Sequence, residues 1–198
     1  ENDENHKEAE ACDPPSPYQK PHPPVFLSGS GCPETIEYAA RQDFNPVYFC
    51  NAQTAGPLST RYQDTARKHG RNYQLGEKQA VVRWVYIDKT DESAEKFIRE
   101  YETDIWTNLY GAMGRRAAGA DPVGSSLASG LIAYGSLETV RKQLIDQWKI
   151  LPADHLVTIF HYAQAPLDWV LSNMDAITTH IKPALDEIIH QSRRAEAA

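Results

Sequence analysis

Residues 17 to 40 read Pro-Tyr-Gln-Lys-Pro-His-Pro-Pro, Val-Phe-Leu-Ser-Gly-Ser-Gly, Cys-Pro-Glu-Thr-Ile-Glu-Tyr-Ala-Ala, and this stretch decides the fold. It has three parts. From Pro17 to Pro24 the prolines fix φ and push each preceding residue toward extended backbone, so this lead-in is not helical. Val25-Phe26-Leu27 is a short apolar run that ends in Ser28-Gly29-Ser30-Gly31. A helix then begins with Pro33 in its first turn and Glu34 where the macrodipole favours an anion. Strand, Gly/Ser turn and helix N-terminus together present backbone N–H groups to a phosphate. By pattern alone the same residues also read as a tight turn, with glycines serving the backbone and Ser30 or Cys32 near the helix cap.

Around this stretch the chain has 198 residues, enough for one domain with a core. Its hydrophobic content of 41% and charged content of 24% are those of a soluble globular protein. A net charge of −7 without a basic cluster argues against nucleic acid as a partner. No run reaches the roughly 18 apolar residues of a membrane helix, and no signal peptide is recognisable. Cys12, Cys32 and Cys50 are odd in number and lack metal-ligand spacing, which fits a reducing cytoplasm better than a disulfide framework. Residues 1–16 are charged and poor in large apolar groups, and are expected to form a flexible acidic lead, with His6 part of a solvated tail rather than a metal site.

Downstream, the pattern alternates. The helix from Pro33 to Gln42 carries Ile36, Ala39 and Ala40 on one face. A short strand over Pro46–Cys50 follows, then a polar loop to Gly56. Pro57 is expected to open a helix that ends near His69, with Gly70 as its stop. Gln79 to Ile87 is nearly continuously apolar, as in a parallel strand buried on both faces. Thr90 caps a helix in which Ala94, Phe97, Ile98, Tyr101, Ile105 and Leu109 keep helical spacing. Gly111 to Gly130, rich in Gly, Ala and Ser and containing Arg115 and Arg116, is expected to be a loop. Leu131 to Ser136 leads into a helix capped by Ser136. The last strand runs from Asp154 to Tyr162. A final helix starts near Pro166 and is expected to kink or divide at Pro183. The order β-α-β-α-β-α-(loop)-α-β-α means a parallel sheet with right-handed crossovers, hence the α/β class.

The sequence resembles the bacterial luciferase-like monooxygenases, flavin- or deazaflavin-dependent oxidoreductases built on a parallel (β/α) barrel of TIM type. The resemblance begins with the Pro-Tyr-Gln-Lys-Pro-His-Pro-Pro lead, the Gly/Ser turn and the Glu37-Tyr38-Ala39-Ala40 helix. It continues through the Gly135-Ser136 turn with its Glu138-Thr139-Val140 helix, through Asp154-His155-Leu156-Val157, and through Ile181-Lys182-Pro183-Ala184-Leu185. It spans about residues 17–191, leaving 192–198 as a tail. It implies that Ser30, Gly31, Cys32 and Thr35 hold the cofactor phosphate. It further implies oxidation of a small organic substrate with reduced FMN and O2, with a separate flavin reductase as partner. Deazaflavin F420 is the alternative cofactor.

One departure from that family is large. An eight-stranded barrel of this type takes about 250 residues. Here about four strands with flanking helices are expected, matching the C-terminal half alone. The two edge strands, Pro24–Leu27 and His155–Tyr162, would be left unpaired. The chain is therefore expected to assemble as a homo-oligomer or with a separate N-terminal half-barrel. A non-catalytic flavin-binding subunit, or a remnant, is the alternative function. Arg83 lies inside the strongest strand, where relatives often carry an Arg-His pair near flavin or substrate; here the second position is Trp84. Arg83 is accordingly a catalytic candidate or the member of a structural ion pair. His161 ends the last strand, where barrel sites form, and is the candidate proton donor. Gly135-Ser136 resembles a second phosphate turn, but helix capping explains it.

Overall fold

One parallel sheet of five strands organises the computed structural model, which describes residues 17–29, 31–109, 121–161 and 165–196. The strands are β1 (Phe26–Gly29), β2 (Asn45–Tyr48), β3 (Ala80–Ile87), β4 (Ile132–Gly135) and β5 (His155–Ile159). Between them run α1 (Pro33–Gln42), α2 (Ala52–Lys68), α3 (Asp91–Tyr101), α4 (Pro122–Ala128) and α5 (Leu137–Ile150); α6 (Leu167–Ala176) and α7 (Lys182–Glu196) follow β5. Every strand pair is parallel, as the alternation of elements requires. The acidic lead, Ser30, Arg115, Arg116 and Tyr162 fall outside the described residues. No helix among the described residues is long and apolar enough to cross a membrane.

A fifth strand, β4, joins the about four expected; it forms from the segment whose pattern reads as a lead into a helix and which the family resemblance marks as strand-like. Its four residues are too few for a periodic signal, and they become a strand by pairing with β3. A strand has two edges, yet β3 has three partners. Gln79 C=O accepts from His155 N–H at 3.1 Å, so β5 lies on the edge to which odd-numbered backbone groups point. Trp84 N–H donates to Leu131 C=O at 3.2 Å and Asp88 N–H to Gly135 C=O at 3.0 Å, so β4 lies on the other edge. Ala80 and Val81 pair with both β2 and β5, which puts β2 on β4's edge. Thus β2 pairs with the start of β3, and β4 takes over from Trp84 to Ile87.

This order decides where the helices go. The chain steps forward from β1 to β2 to β3, and right-handed crossovers place α1 and α2 on one face. From β3 to β4 it steps backward. The same handedness then requires the intervening segment to cross the opposite face, and Ile98 of α3 with Val123 and Leu127 of α4 does pack there, against Trp84 and Tyr86. The step from β4 to β5 is forward again, and α5 returns to the first face, where Val140 and Leu144 meet Val85 and Ile87. Side chains of β3 alternate accordingly: Val81, Val85 and Ile87 point to the α1–α2–α5 layer, Trp84 and Tyr86 to the other face.

Three helix boundaries differ from the sequence reading. Helix α2 begins at Ala52, not Pro57, because the Asn51 side chain accepts from Thr54 N–H at 2.8 Å and caps it one turn earlier. Pro57 is held inside the helix, where only the carbonyl four residues back loses its donor. Part of the Gly111–Gly130 segment is helical: Asp121 accepts from Gly124 N–H and Pro122 takes the first helical position. Before Pro183 the final helix passes through a π-helical turn, Ile177–Ile181, so the division expected at the proline falls just ahead of it.

β5 ends at Ile159, opposite Trp84, leaving the last turn of that β3 edge without a strand. The Asn173 side chain of α6 substitutes for one. Its amide oxygen accepts from Ile87 N–H at 2.6 Å, and its nitrogen donates to Ile87 C=O at 3.1 Å. Both partners are buried. Asn173→Leu leaves the N–H and C=O of Ile87 unpaired and is expected to lower unfolding stability in urea by about 2–4 kcal/mol. Ser172→Ala, at an exposed neighbour, should stay within about 0.5 kcal/mol of the unaltered chain.

Candidate functional site

Helix N-termini lie at the carboxyl ends of the strands, the end at which barrel sites form, and three of them, those of α1, α2 and α5, follow the four-residue strands β1, β2 and β4. Two are satisfied from within the chain. At α2 the Asn51 side chain caps Thr54 N–H, and its nitrogen donates to Ser129 C=O at 3.0 Å. At α5 the cap is Ser136, and Asp91 adds a carboxylate that accepts from Ser136 N–H at 2.7 Å and from Thr139 Oγ1 at 3.1 Å. These bonds hold the Asp91 carboxyl below its ordinary pKa. Gly135 has φ 131°, and a Cβ there would lie 2.5 Å from Asp91 Oδ1. The Gly135-Ser136 turn is therefore filled by the protein's own anion, in keeping with its reading as a cap. No sequence signal announces Asp91, which sits 45 residues from the turn it fills.

Helix α1 differs. Its N-cap residue, Cys32, makes no side-chain cap hydrogen bond, and Pro33 carries no N–H. Gly31, with φ 95°, turns the chain from β1 into the helix, and a Cβ there would find only Thr54 Cγ2, at 3.9 Å. Gly31, Cys32 and Thr35 are thus brought together at one exposed turn, as the sequence suggested. Glu34 belongs with them. Cys32 Sγ donates to Glu34 Oε2 at 3.0 Å, and this bond, then Glu34's own backbone N–H, lowers the carboxyl's pKa. Glu34 is fully exposed and can rotate away, but as it stands it places a negative charge where an anionic ligand would sit.

Arg83 is not part of this turn. It is buried on the α5 side of the sheet, where its Nε donates to Gln147 Oε1 and its Nη1 donates to Cys50 C=O at 3.1 Å and Val82 C=O at 2.6 Å. Among the described residues no carboxylate pairs with it, so it is not the ion-pair member considered from sequence. Burial pushes its pKa down to about 10. A guanidinium satisfied by carbonyls between sheet and helix ties β3 to α5 and to the turn after β2. Gln147, the partner that makes this possible, carried no signal in the sequence.

Trp84 and Tyr86 point to the opposite face. There Trp84 meets Phe49 and Trp106 edge-on, with ring centroids 6.2 and 5.3 Å away. Trp169 of α6 stacks on Phe97 at 3.9 Å and lies 5.9 Å from Tyr86. This aromatic layer lies toward the strands' carboxyl ends. His161, half-buried, lies two residues beyond Ile159, which packs into the same layer. A separate cavity of about 440 Å³, lined by Gln74, Glu77, Trp148 and Asp154 among others, opens at the amino ends of β3 and β5, the end opposite to barrel chemistry.

No family model matches the chain, and no curated protein matches it. Solved structures do. The oxygenating constituent of 3,6-diketocamphane monooxygenase from Pseudomonas putida, a type II Baeyer–Villiger monooxygenase in complex with FMN, superposes with a TM-score of 0.64 at 19% identity, over 82% of this chain and 49% of that one. EDTA monooxygenase from Chelativorans sp. gives 0.57 at 18% identity, over 88% and 46%. The coenzyme F420-dependent tetrahydromethanopterin reductase of Methanopyrus kandleri gives 0.55 at 12%, over 82% and 51%. The fold is that of the luciferase-like barrel enzymes, and the chain spans about half the length of the structures it matches.

The placement of Arg83 sets an expectation for its removal. Arg83→Met takes the donor from Gln147, Cys50 C=O and Val82 C=O together. It should lower unfolding stability by about 1–3 kcal/mol while leaving any flavin binding at the α1 turn unchanged, as followed by denaturant melts and fluorescence titration. A loss of binding with stability intact would return Arg83 to the site.

Proposed function

We propose that this chain is the phosphate-holding half of a luciferase-like, flavin-dependent oxidoreductase. In this reading the whole assembly is a monooxygenase that oxidises a small organic substrate with O2 and reduced FMN delivered by a flavin reductase in the cytoplasm. The observation that carries the reading is the α1 turn: its N-cap Cys32 makes no side-chain cap hydrogen bond while the N-caps of α2, α3 and α5 do, and, unlike the also uncapped α6, it follows a Gly/Ser turn directly after its strand, in a fold whose structural neighbour is recorded with FMN. The turn fits a phosphate. Gly31 lets the backbone approach closely, and the N–H groups of the first helical turn, Thr35 among them, face the ligand. Glu34 must rotate into solvent to admit it.

Bound FMN supplies the electrons that activate O2. The protein's part is placement and exclusion of water. The aromatic layer of Trp84, Tyr86, Phe97 and Trp169 gives a dry wall, and His161 beside it is the proton donor in this reading. F420 remains the alternative cofactor, supported by the reductase likeness, since a phosphate turn serves either. A non-catalytic flavin-binding half is favoured by two observations: Trp84 occupies the place where the family resemblance implies an imidazole, and Arg83 points into the helix layer.

FMN titration monitored by flavin fluorescence tests the reading. Saturable binding is expected, abolished in Thr35→Glu and in Cys32→Trp, which block the turn. Glu34→Gln removes the competing charge and should tighten binding about two- to fivefold, the size of a helix-terminus charge effect. Absence of FMN and F420 binding in both the unaltered chain and Glu34→Gln overturns it. Turnover with a reductase present separates the catalytic from the binding-only form.

A further inference from the structure

Arg83 is the largest fully buried side chain among the described residues, and its surroundings leave its charge unanswered. Its Nε and Nη1 donate to the Gln147 amide and to the carbonyls of Cys50 and Val82, all of them neutral. Its Nη2 makes no hydrogen bond among the described residues. Among the same residues the Cys50 thiol is the titratable group that acts on it, and burial pushes that thiol's pKa up, so it stays neutral at neutral pH. A buried ion without a counter-charge is costly to hold. Beside Arg83, between β3, β5, α5 and α7, lies a small cavity of about 30 Å³. That is room for one water molecule or one monatomic ion. Val81, Leu144, Leu151, Ala153, Leu156 and Leu185 give it an apolar lining, broken by Arg83, Gln147 and Trp148. The side chains of these three have donors left, not acceptors. Arg83 can only donate, so Gln147 turns its oxygen to it and keeps Nε2 as a donor. Trp148 Nε1 is a donor only, buried and without a partner among the described residues.

We propose that this cavity is a halide site, in which a chloride ion accepts from Arg83 Nη2 and supplies the negative charge that the guanidinium lacks. Charge, size and donor set agree on that ligand. A water molecule there would satisfy Nη2 but leave the charge unanswered. Phosphate, sulfate and carboxylates are too large for the volume. A metal cation would be repelled by the guanidinium and would find no carboxylate on the described wall. Trp148 and Ala153 line both this cavity and the larger one at the amino ends of β3 and β5, so an ion that enters the larger one reaches the smaller past those two residues. The site lies on the α5 side of the sheet, away from the α1 turn, and does not depend on flavin. Its effect falls on stability. Arg83 ties β3 to α5 and to the turn after β2, and a bound halide strengthens that tie by stabilising the charged side chain where it is buried.

Urea unfolding of the full chain tests this, with sodium chloride replacing sodium gluconate at constant ionic strength so that screening does not change. The midpoint should rise with chloride and saturate, as linkage to one bound ion requires. At saturation the folding equilibrium constant should gain about tenfold, the worth of one hydrogen bond to a charged group. Bromide should act as chloride does, and sulfate should give no saturable rise. Gln147→Glu places a carboxylate of nearly the same shape beside Arg83. It should abolish the chloride dependence without lowering the midpoint in gluconate. A midpoint indifferent to chloride overturns the proposal, and so does a saturable rise that persists in Gln147→Glu, which assigns the ion to another site. If Gln147→Glu fails to fold, crystals of the unaltered chain soaked in bromide decide. An anomalous peak beside Arg83 Nη2 supports the site; a cavity holding water alone, without anomalous signal, overturns it.

Discussion

Each strand of a sheet offers two edges of backbone donors and acceptors, and the structure turns on how β3 divides its own. One edge is shared in succession by β2 and β4; the other is shared by β5 and the Asn173 amide. This division makes the β3-to-β4 connection run backward. Together with the fixed hand of crossovers, it sends α3 and α4 to the face opposite the other helices. The aromatic layer around Trp84, the burial of Tyr86 and the partial cover over the carboxyl ends all follow from that one reversal.

The carboxyl ends of the strands then become a place of competition among anions. Helix N-termini attract negative charge, and the chain supplies it from Asp91 at α5 and Glu34 at α1. The two differ in commitment. Asp91 accepts two hydrogen bonds from the turn and helix it bridges, and Gly135 gives up its side chain to make room. Glu34 is exposed and held mainly by a thiol two residues away. An external anion would meet a fixed carboxylate at one turn and a movable one at the other, so the local carboxylates, rather than the glycines that both turns possess, distinguish the two.

What could be read in the sequence was what is local. The Pro33 start, the apolar face of Ile36, Ala39 and Ala40, and the long apolar run of β3 are encoded by neighbours in sequence, and they were legible. The capping roles of Thr90 and Ser136 were legible for the same reason. Strand β4 was not, because four residues carry too little pattern and become a strand only through pairing with β3. Pro57 marks the start of α2 a turn late, because the Asn51 side chain caps the helix earlier. Arg83 was recognised as buried, but the face it points to depends on the register of β3 against helices far along the chain. Its neutral partner, Gln147, lies 64 residues away. Asp91, Gln147 and Asn173 act across such distances and leave no local trace.

The Asn173 clasp has a consequence for the order of events in folding. It joins residues 87 and 173, a separation of 86 positions, and it satisfies the rim of β3 only once α6 is made. On a chain emerging from the ribosome, the β1–β2–β3 portion can collapse early around α1 and α2. The carboxyl rim of β3 must wait, its polar groups exposed to water, until α6 has followed. Contacts of such long range are slow to form, because loop-closure entropy is lost before they give anything back. The carboxyl end of β3 thus acquires its shape after the β1–β2–β3 portion it belongs to.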